Sequence, residues 1–206
     1  STSALSAFVY TYPDTWTYQV TLFVSSNIGC YDTLTAPATV YKIPVANFIF
    51  PRICTDQPVV FTDSSYVEGS VISSWNWNFG TSGVTSTMQN PTAGFPDALA
   101  YPVTMIVSSA YDCTDTITKM AAVFQSPEFN ISTPDHCFGK NQFMSVNVTS
   151  GNLGNLSYLW NFGDSTASFL ANPFHSYPNA GQYITSLQIT DVSNGCEVII
   201  TDTIQV

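Results

Sequence analysis

Three observations predict an all-β chain of tandem antiparallel β-sandwich repeats. Apolar residues alternate with period two, cysteines recur at one fixed spacing, and turn residues break the chain at short intervals without any capped helical pattern between them.

The spacing comes first because it sets the boundaries. Cys30, Cys113 and Cys196 are each 83 apart, and so are Cys54 and Cys137. The same offset relates Trp77 to Trp160, Asn78-Phe79-Gly80 to Asn161-Phe162-Gly163, Pro44 to Pro127, and Tyr18 to Tyr101. Between Tyr101 and Tyr183 it drops to 82, and one extra residue in the turn before Cys196 restores it. This register divides the chain into a partial unit (1–43) and two complete units (44–126 and 127–206). The partial unit lacks the tryptophan strand, so its strands are expected to leave an apolar face and a sheet edge unpaired, with the missing strands supplied by a longer chain or by another copy. The junctions Lys42-Ile43-Pro44 and Gln125-Ser126-Pro127 are short and proline-bearing, which predicts a semi-rigid rod.

Within the units, Tyr18, Val20, Leu22 and Val24 correspond to Tyr101, Val103, Met105 and Val107, then to Tyr183, Thr185, Leu187 and Ile189. One face of this strand is therefore expected to enter the core. Trp75, Trp77 and Phe79 alternate with asparagines, as Tyr158, Trp160 and Phe162 alternate with Leu159 and Asn161. Because these aromatics recur at the unit's own period, core packing is their expected role, above all for Trp77, Phe79, Tyr101, Trp160, Phe162 and Tyr183. Phe23 and Ile106 lie on the outward phase and are expected at protein–protein contacts. Turns are expected at 67–70, 80–83, 151–154 and Asn194-Gly195. About seven short strands per unit reads as a sandwich.

Five cysteines do not fix their own connectivity. Cys54 to Cys113 and Cys137 to Cys196 are both 59 apart, and the repeat favours pairing within each unit, leaving Cys30 for a partner in the first unit's missing half. Such bridges place the chain in an oxidising, extracellular setting. No close Cys-x-x-Cys pair suggests zinc.

Composition narrows the function. Charged residues are 9% of the chain, against roughly 25% in an average soluble protein, and the net charge is −10. Four Lys plus Arg leave no basic stripe for nucleic acid or anionic lipid, and no apolar run approaches the roughly 20 residues of a membrane span. His136 and His175, the two histidines, do not recur at the period, and no G-x-S-x-G elbow presents a nucleophile, so no catalytic residue and no cofactor is assigned. A calcium site between units, built from loop carboxylates such as Asp56, Asp63, Glu68 and Asp164, stays open.

The run Leu159-Trp160-Asn161-Phe162-Gly163-Asp164, followed by Asn172-Pro173-Phe174-His175-Ser176-Tyr177 and Gly181-Gln182-Tyr183, resembles the PKD (polycystic kidney disease) domain signature. The central unit echoes it with Trp77-Asn78-Phe79-Gly80, Asn90-Pro91 and Tyr101-Pro102-Val103. It departs where Thr81 and Ala93 stand at the aspartate and histidine positions. The resemblance implies immunoglobulin-like sandwiches, and the cysteine placement is similar to PKD-type repeats of large surface adhesins in gliding bacteria that use type IX secretion. From it follow the expectations of a non-catalytic extracellular segment on the bacterial cell surface, forming a stalk or packing with other copies into a filament. Surface polysaccharide or a prey or host cell surface would be its further partners. The alternative is an accessory carbohydrate-binding or spacer module of a secreted hydrolase.

Overall fold

The computed structural model describes residues 7, 9–80, 83–135, 137–150 and 155–206, and every regular element among them is a strand. Thr81, Ser82, His136 and the turn at 151–154 lie outside the described residues.

The first unit contributes one hairpin, β1 (Thr17–Ser25) against β2 (Tyr31–Thr39). The second comprises β3 (Phe48–Ile49), β4 (Ile53–Cys54), β5 (Val59–Val60), β6 (Thr62–Asp63), β7 (Ile72–Asn78), β8 (Thr85–Ser86), β9 (Thr92–Ala93), β10 (Ala100–Ser109) and β11 (Thr114–Phe124). The third comprises β12 (Glu128–Ser132), β13 (Gln142–Phe143), β14 (Ser145–Ser150), β15 (Leu156–Asn161), β16 (Ala167–Ser168), β17 (Phe174–His175), β18 (Gln182–Asp191) and β19 (Glu197–Gln205).

In the second unit a sheet ordered β4-β11-β10-β7-β8 is accompanied by the short pairs β3–β6 and β5–β9, and in the third a sheet ordered β16-β15-β18-β19 by β12–β14 and β13–β17. Each unit has its own core. Along β10 the side chains of Tyr101, Val103, Met105 and Val107 are buried while Pro102, Thr104 and Ile106 point outward, the alternation that a pleated strand imposes. Together with Phe48, Phe61, Trp77 and Phe79 they make the first cluster. Trp160, Phe162, Tyr177, Leu187 and Ile189 make the second, with Tyr183 packed half-buried against it.

The repeat is legible atom by atom. The hydroxyls of Tyr18, Tyr101 and Tyr183 each donate to a backbone carbonyl four residues upstream, at 2.9, 3.3 and 3.1 Å, the tie that pins the start of a long strand in immunoglobulin-like sandwiches. Thr21 faces Thr35 across the first hairpin and Thr104 faces Thr118 across the second, hydroxyl to hydroxyl at 2.8 Å in both. Those outward polar pairs hold register where no core can.

Among the described residues the hairpin of the first unit is a two-stranded sheet with no sandwich beneath it. Leu22, Phe23, Val24 and Leu34 are all at least half exposed, although Leu22 and Val24 occupy the positions that are buried in β10. Neither β7, which pairs along the edge of β10, nor Phe48 and Phe61, which share the core with its buried face, has a counterpart before β1 among the described residues. The apolar face is therefore open, and Ile106 on the outward phase of β10 is 39% exposed in a unit that is otherwise complete.

Two glycines of the repeated tryptophan strand are needed for their shape. Gly163 has φ +80°, and a Cβ there would stand 2.5 Å from the carbonyl oxygen of Ile184; Gly80 has φ +68° and its Cβ would stand 2.9 Å from Cδ of Pro102. Both strands end by turning tightly against their neighbour. The substitution Gly163→Ala combines a left-handed backbone, costing about 1–2 kcal/mol, with a clash against backbone that cannot yield. A clear drop in the urea midpoint of the third unit is expected, larger than for Gly80→Ala, whose clash includes a proline ring.

Candidate functional site: the junction between units and the signature network

The signature residues hold the sandwich together. Trp77 Nε1 donates to the Met88 carbonyl at 2.9 Å and Trp160 Nε1 to the Ala171 carbonyl at 3.2 Å, so each buried indole has its one donor satisfied. Asn78 and Asn161 accept the N–H of Gly80 and Gly163. Asn90 and Asn172 reach across to the N–H of Asp63 and Val146, while the carbonyls of Pro91 and Pro173 accept from Phe61 and Met144.

The two complete units differ at one coherent set of positions. In the third, Asp164 Oδ2 meets His175 Nε2 at 2.9 Å, its Oδ1 accepts from Thr166 N–H, and the imidazole lies flat on Phe162 with centroids 3.9 Å apart. Tyr177 donates to the Phe162 carbonyl at 2.9 Å and meets the Thr185 hydroxyl at 3.0 Å. In the second unit the residues corresponding to His175, Tyr177 and Thr185 are Ala93, Phe95 and Val103, all buried and apolar, with Phe95 packed on Tyr101 at 4.6 Å. A buried polar network either is satisfied throughout or is replaced throughout, and the units take one solution each.

Burial pushes the Asp164 carboxyl up, but hydrogen bonds from Thr166 and His175 and the attraction of the imidazole outweigh it and hold the group below its ordinary 3.8. Burial pushes the Tyr177 phenol up. In the second unit Asp63 is held low despite burial by Ser65, Gln89 and the indole of Trp75, which donates to it at 2.9 Å. A carboxyl whose folded value lies below its unfolded one contributes stability that is complete above the unfolded value and is lost as the pH falls through the folded one. Acid unfolding monitored by tryptophan fluorescence should therefore begin below about pH 4, and Asp164→Asn should flatten that limb for the third unit.

Asp164 and His175 are paired with each other and the Tyr177 hydroxyl with the Phe162 carbonyl and the Thr185 hydroxyl, and among the described residues no group of three or more His, Cys, Asp or Glu gathers as a metal-binding set. Asp56, Asp63, Glu68 and Asp164, the carboxylates from which a calcium loop could be built, are not brought together among the described residues.

The cysteines correct the sequence expectation. Cys54 is bonded to Cys196, across the junction and 142 residues apart, while Cys30, Cys113 and Cys137 are free. The within-unit pairs Cys54–Cys113 and Cys137–Cys196 are excluded by the length of one strand. β11 begins at Thr114, next to Cys113, and ends at Phe124, which pairs with Cys54. Ten residues of strand are about 33 Å, and a disulfide tolerates at most about 7 Å between Cα atoms. In the third unit β19 likewise separates Cys196 at its start from Asp135, which accepts from Gln205 N–H at its end, near Cys137.

The bridge sits in a built junction. Cys54 and Cys196 are buried. Around them the Arg52 guanidinium donates to the Asn194 carbonyl and lies over the Phe124 ring at 5.9 Å, and Gln57 Nε2 donates to the Glu197 carbonyl at 2.6 Å. Ser126 donates two hydrogen bonds of 2.9 Å to Thr55, from its N–H to the hydroxyl and from its hydroxyl to the carbonyl, which fold the linker back on the second unit. An open groove of about 350 Å³ runs alongside, lined by Asp56, Gln57, Ser126, Phe129, Val198 and Ile200.

The family model of the PKD domain matches residues 41–124 and again residues 125–206. The chain belongs to the PKD domain family. Its two complete PKD domains are tandem β-sandwiches. Over 50 residues it is 48% identical to Collagenase ColA of Bacillus cereus, a stretch that is 24% of this chain and 5% of that protein. It is 40% identical over 62 residues to the Microbial collagenase of Vibrio alginolyticus, 30% of this chain and 8% of the relative. The chain thus spans less than a tenth of the curated relatives it matches. Among solved structures, the PKD1 domain of the Vibrio cholerae metalloprotease PrtV aligns with 40% of this PKD chain and 98% of its own, at 30% identity and a TM-score of 0.37. The PKD1 domain of Vibrio anguillarum Epp aligns with 41% and 96% at 27% identity and a TM-score of 0.38. Among the described residues no helix is long and apolar enough to cross a membrane.

Proposed function

We propose that this PKD segment is a non-catalytic structural or adhesive part of a large extracellular bacterial surface protein, in which tandem units form a stalk or pack beside other copies into a filament. The observation that carries the reading is the Cys54–Cys196 bridge. It joins one unit to the next rather than stabilising either alone, so its product is a fixed alignment between units. A bond of this kind belongs to an oxidising compartment. The signature residues support the non-catalytic part, because their polar atoms are consumed inside the sandwich.

Sparse charge suits lateral packing, since close association of like surfaces would otherwise bury unpaired ions. Phe23, 60% exposed, and Ile106 are the apolar side chains offered for such contacts. Export through the type IX system of a gliding bacterium, and polysaccharide or a prey or host surface as ligand, accompany this reading through the family resemblance.

A second reading rests on the relatives: stretches of this chain are 40% and 48% identical to parts of two collagenases, which favours an accessory module of a secreted hydrolase. Immuno-gold electron microscopy of intact cells, with antibody raised to this segment, separates the two. Gold along regular surface fibres supports the stalk or filament. Gold absent from cells, with the antigen in the medium on a chain carrying a protease or chitinase domain, overturns it.

A further inference from the structure

The three free cysteines occupy the same positions as the two bonded ones. Cys30, Cys113 and Cys196 each close the turn between the unit's two long strands, and the carbonyl of each accepts the N–H of the residue where the preceding strand gives way to that turn (Ser26, Ser109, Asp191) at 2.8 Å. Cys54 and Cys137 each open a turn in which the residue three further on, Gln57 or Lys140, donates back to the cysteine carbonyl at 3.3 Å. Every unit therefore carries a cysteine of the first kind at its leading end and, where complete, one of the second kind at its trailing end.

The junction before the second unit reproduces the bridged one. Tyr41 stands one period before Phe124, the residue that pairs with Cys54 and whose carbonyl lies 3.9 Å from Cys196 Sγ. Tyr41 stacks on Tyr111, two residues from Cys113, with ring centroids 3.6 Å apart and planes 8° from parallel. The turn that bears Cys113 is thus already seated against the end of the first hairpin. What the bridged junction adds is a strand like β4, running parallel beside the strand end and carrying a cysteine.

We propose that Cys113 is one half of a second inter-unit bridge, the other half being the trailing cysteine on the PKD-type half-unit that completes the open face of β1 and β2. By the same geometry Cys137 takes the leading cysteine of the unit that follows. Cys30 takes a partner one whole unit further back, not one in the first unit's own missing half. The result is a ladder in which each bridge reaches from one unit to the next. Each bridge forms when two thiols lose two electrons and two protons to the disulfide of a thiol–disulfide oxidant of the exporting compartment, which leaves as a dithiol.

This inference rests on the tandem-array reading of the function. Its test is a disulfide map of the full-length protein isolated from its source, with free thiols blocked by alkylation before non-reducing digestion. The peptides of Cys113 and Cys137 are expected unalkylated, each joined to a cysteine peptide of the adjacent PKD unit of the same chain. Alkylated Cys113 and Cys137 beside intact neighbouring units overturn the ladder alone. So does a link to Cys54 or Cys196, or a reducible dimer band showing that the partner is another copy. Flanking sequence without PKD units overturns both the ladder and the array reading.

Discussion

Replacing Cys54 and Cys196 together by alanine should cost the folded tandem about 5 kcal/mol in the chain-entropy account of a bridge closing a loop of this length, the largest effect expected of any substitution pair here. The loop spans 142 residues, so the unfolded chain regains most of the freedom that the cross-link removes. Denaturant titration with and without the substitutions measures the loss, and a reducing agent should reproduce it in the unsubstituted protein. Cys113→Ala and Cys137→Ala should change the midpoint little, because neither thiol is bonded within this segment. Had pairing been confined to each unit, those two would be as damaging as Cys54→Ala.

The second large effect is expected at the buried indoles. Trp160→Ala removes a fully buried ring from the third unit and orphans the Ala171 carbonyl. Loss of a large aromatic from a packed core costs about 3–5 kcal/mol, a large share of the roughly 5–15 kcal/mol typical of a whole domain. The damage should remain local. Trp77 and Trp160 belong to separate clusters, so hydrogen exchange should rise throughout 127–206 in Trp160→Ala while the amides of β7, β10 and β11 keep their protection. Trp77→Ala should give the reverse pattern. Exchange rising equally in both units would mean that the bridge and the Arg52 and Gln57 contacts couple them into one cooperative body.

The sequence disclosed the sandwich because its strands are long where it matters. β10 and β18 are long enough for the alternation of Val103, Met105 and Val107 to stand out, and Trp77 and Trp160 recur at the unit's period. Two-residue strands such as β5 or β13 carry no periodicity, and their pairing is decided by the long strands they pack against. The polar network of the third unit was visible only as motif letters. That Asp164, His175, Tyr177 and Thr185 act together, with the last three exchanged together for apolar residues in the second unit, requires knowing which side chains meet.

Cysteine pairing was not legible for a different reason. A repeat is unchanged by a shift of one unit, so the equal spacings of Cys54 to Cys113 and of Cys137 to Cys196 are as compatible with a partner in the next unit as with one in the same unit. A signal that decides the matter was nonetheless present. Cys113 and Cys196 precede the unit's last strand while Cys54 and Cys137 lie near its start, and if the first strand lies beside the end of the last one, its whole length must separate them.

The bridge also decides where tension travels when the chain is pulled from its ends. Force entering before Cys54 and leaving after Cys196 crosses at the sulfur atoms, so the backbone from Thr55 to Gly195 carries none of it. Those residues would extend to roughly 470–500 Å if unravelled, slack that stays locked while the covalent bond survives, whatever becomes of the hydrogen bonds inside the loop. A chain joined in this way resists stretching through its covalent bonds rather than its folding stability, and its length under load answers to the redox state around it.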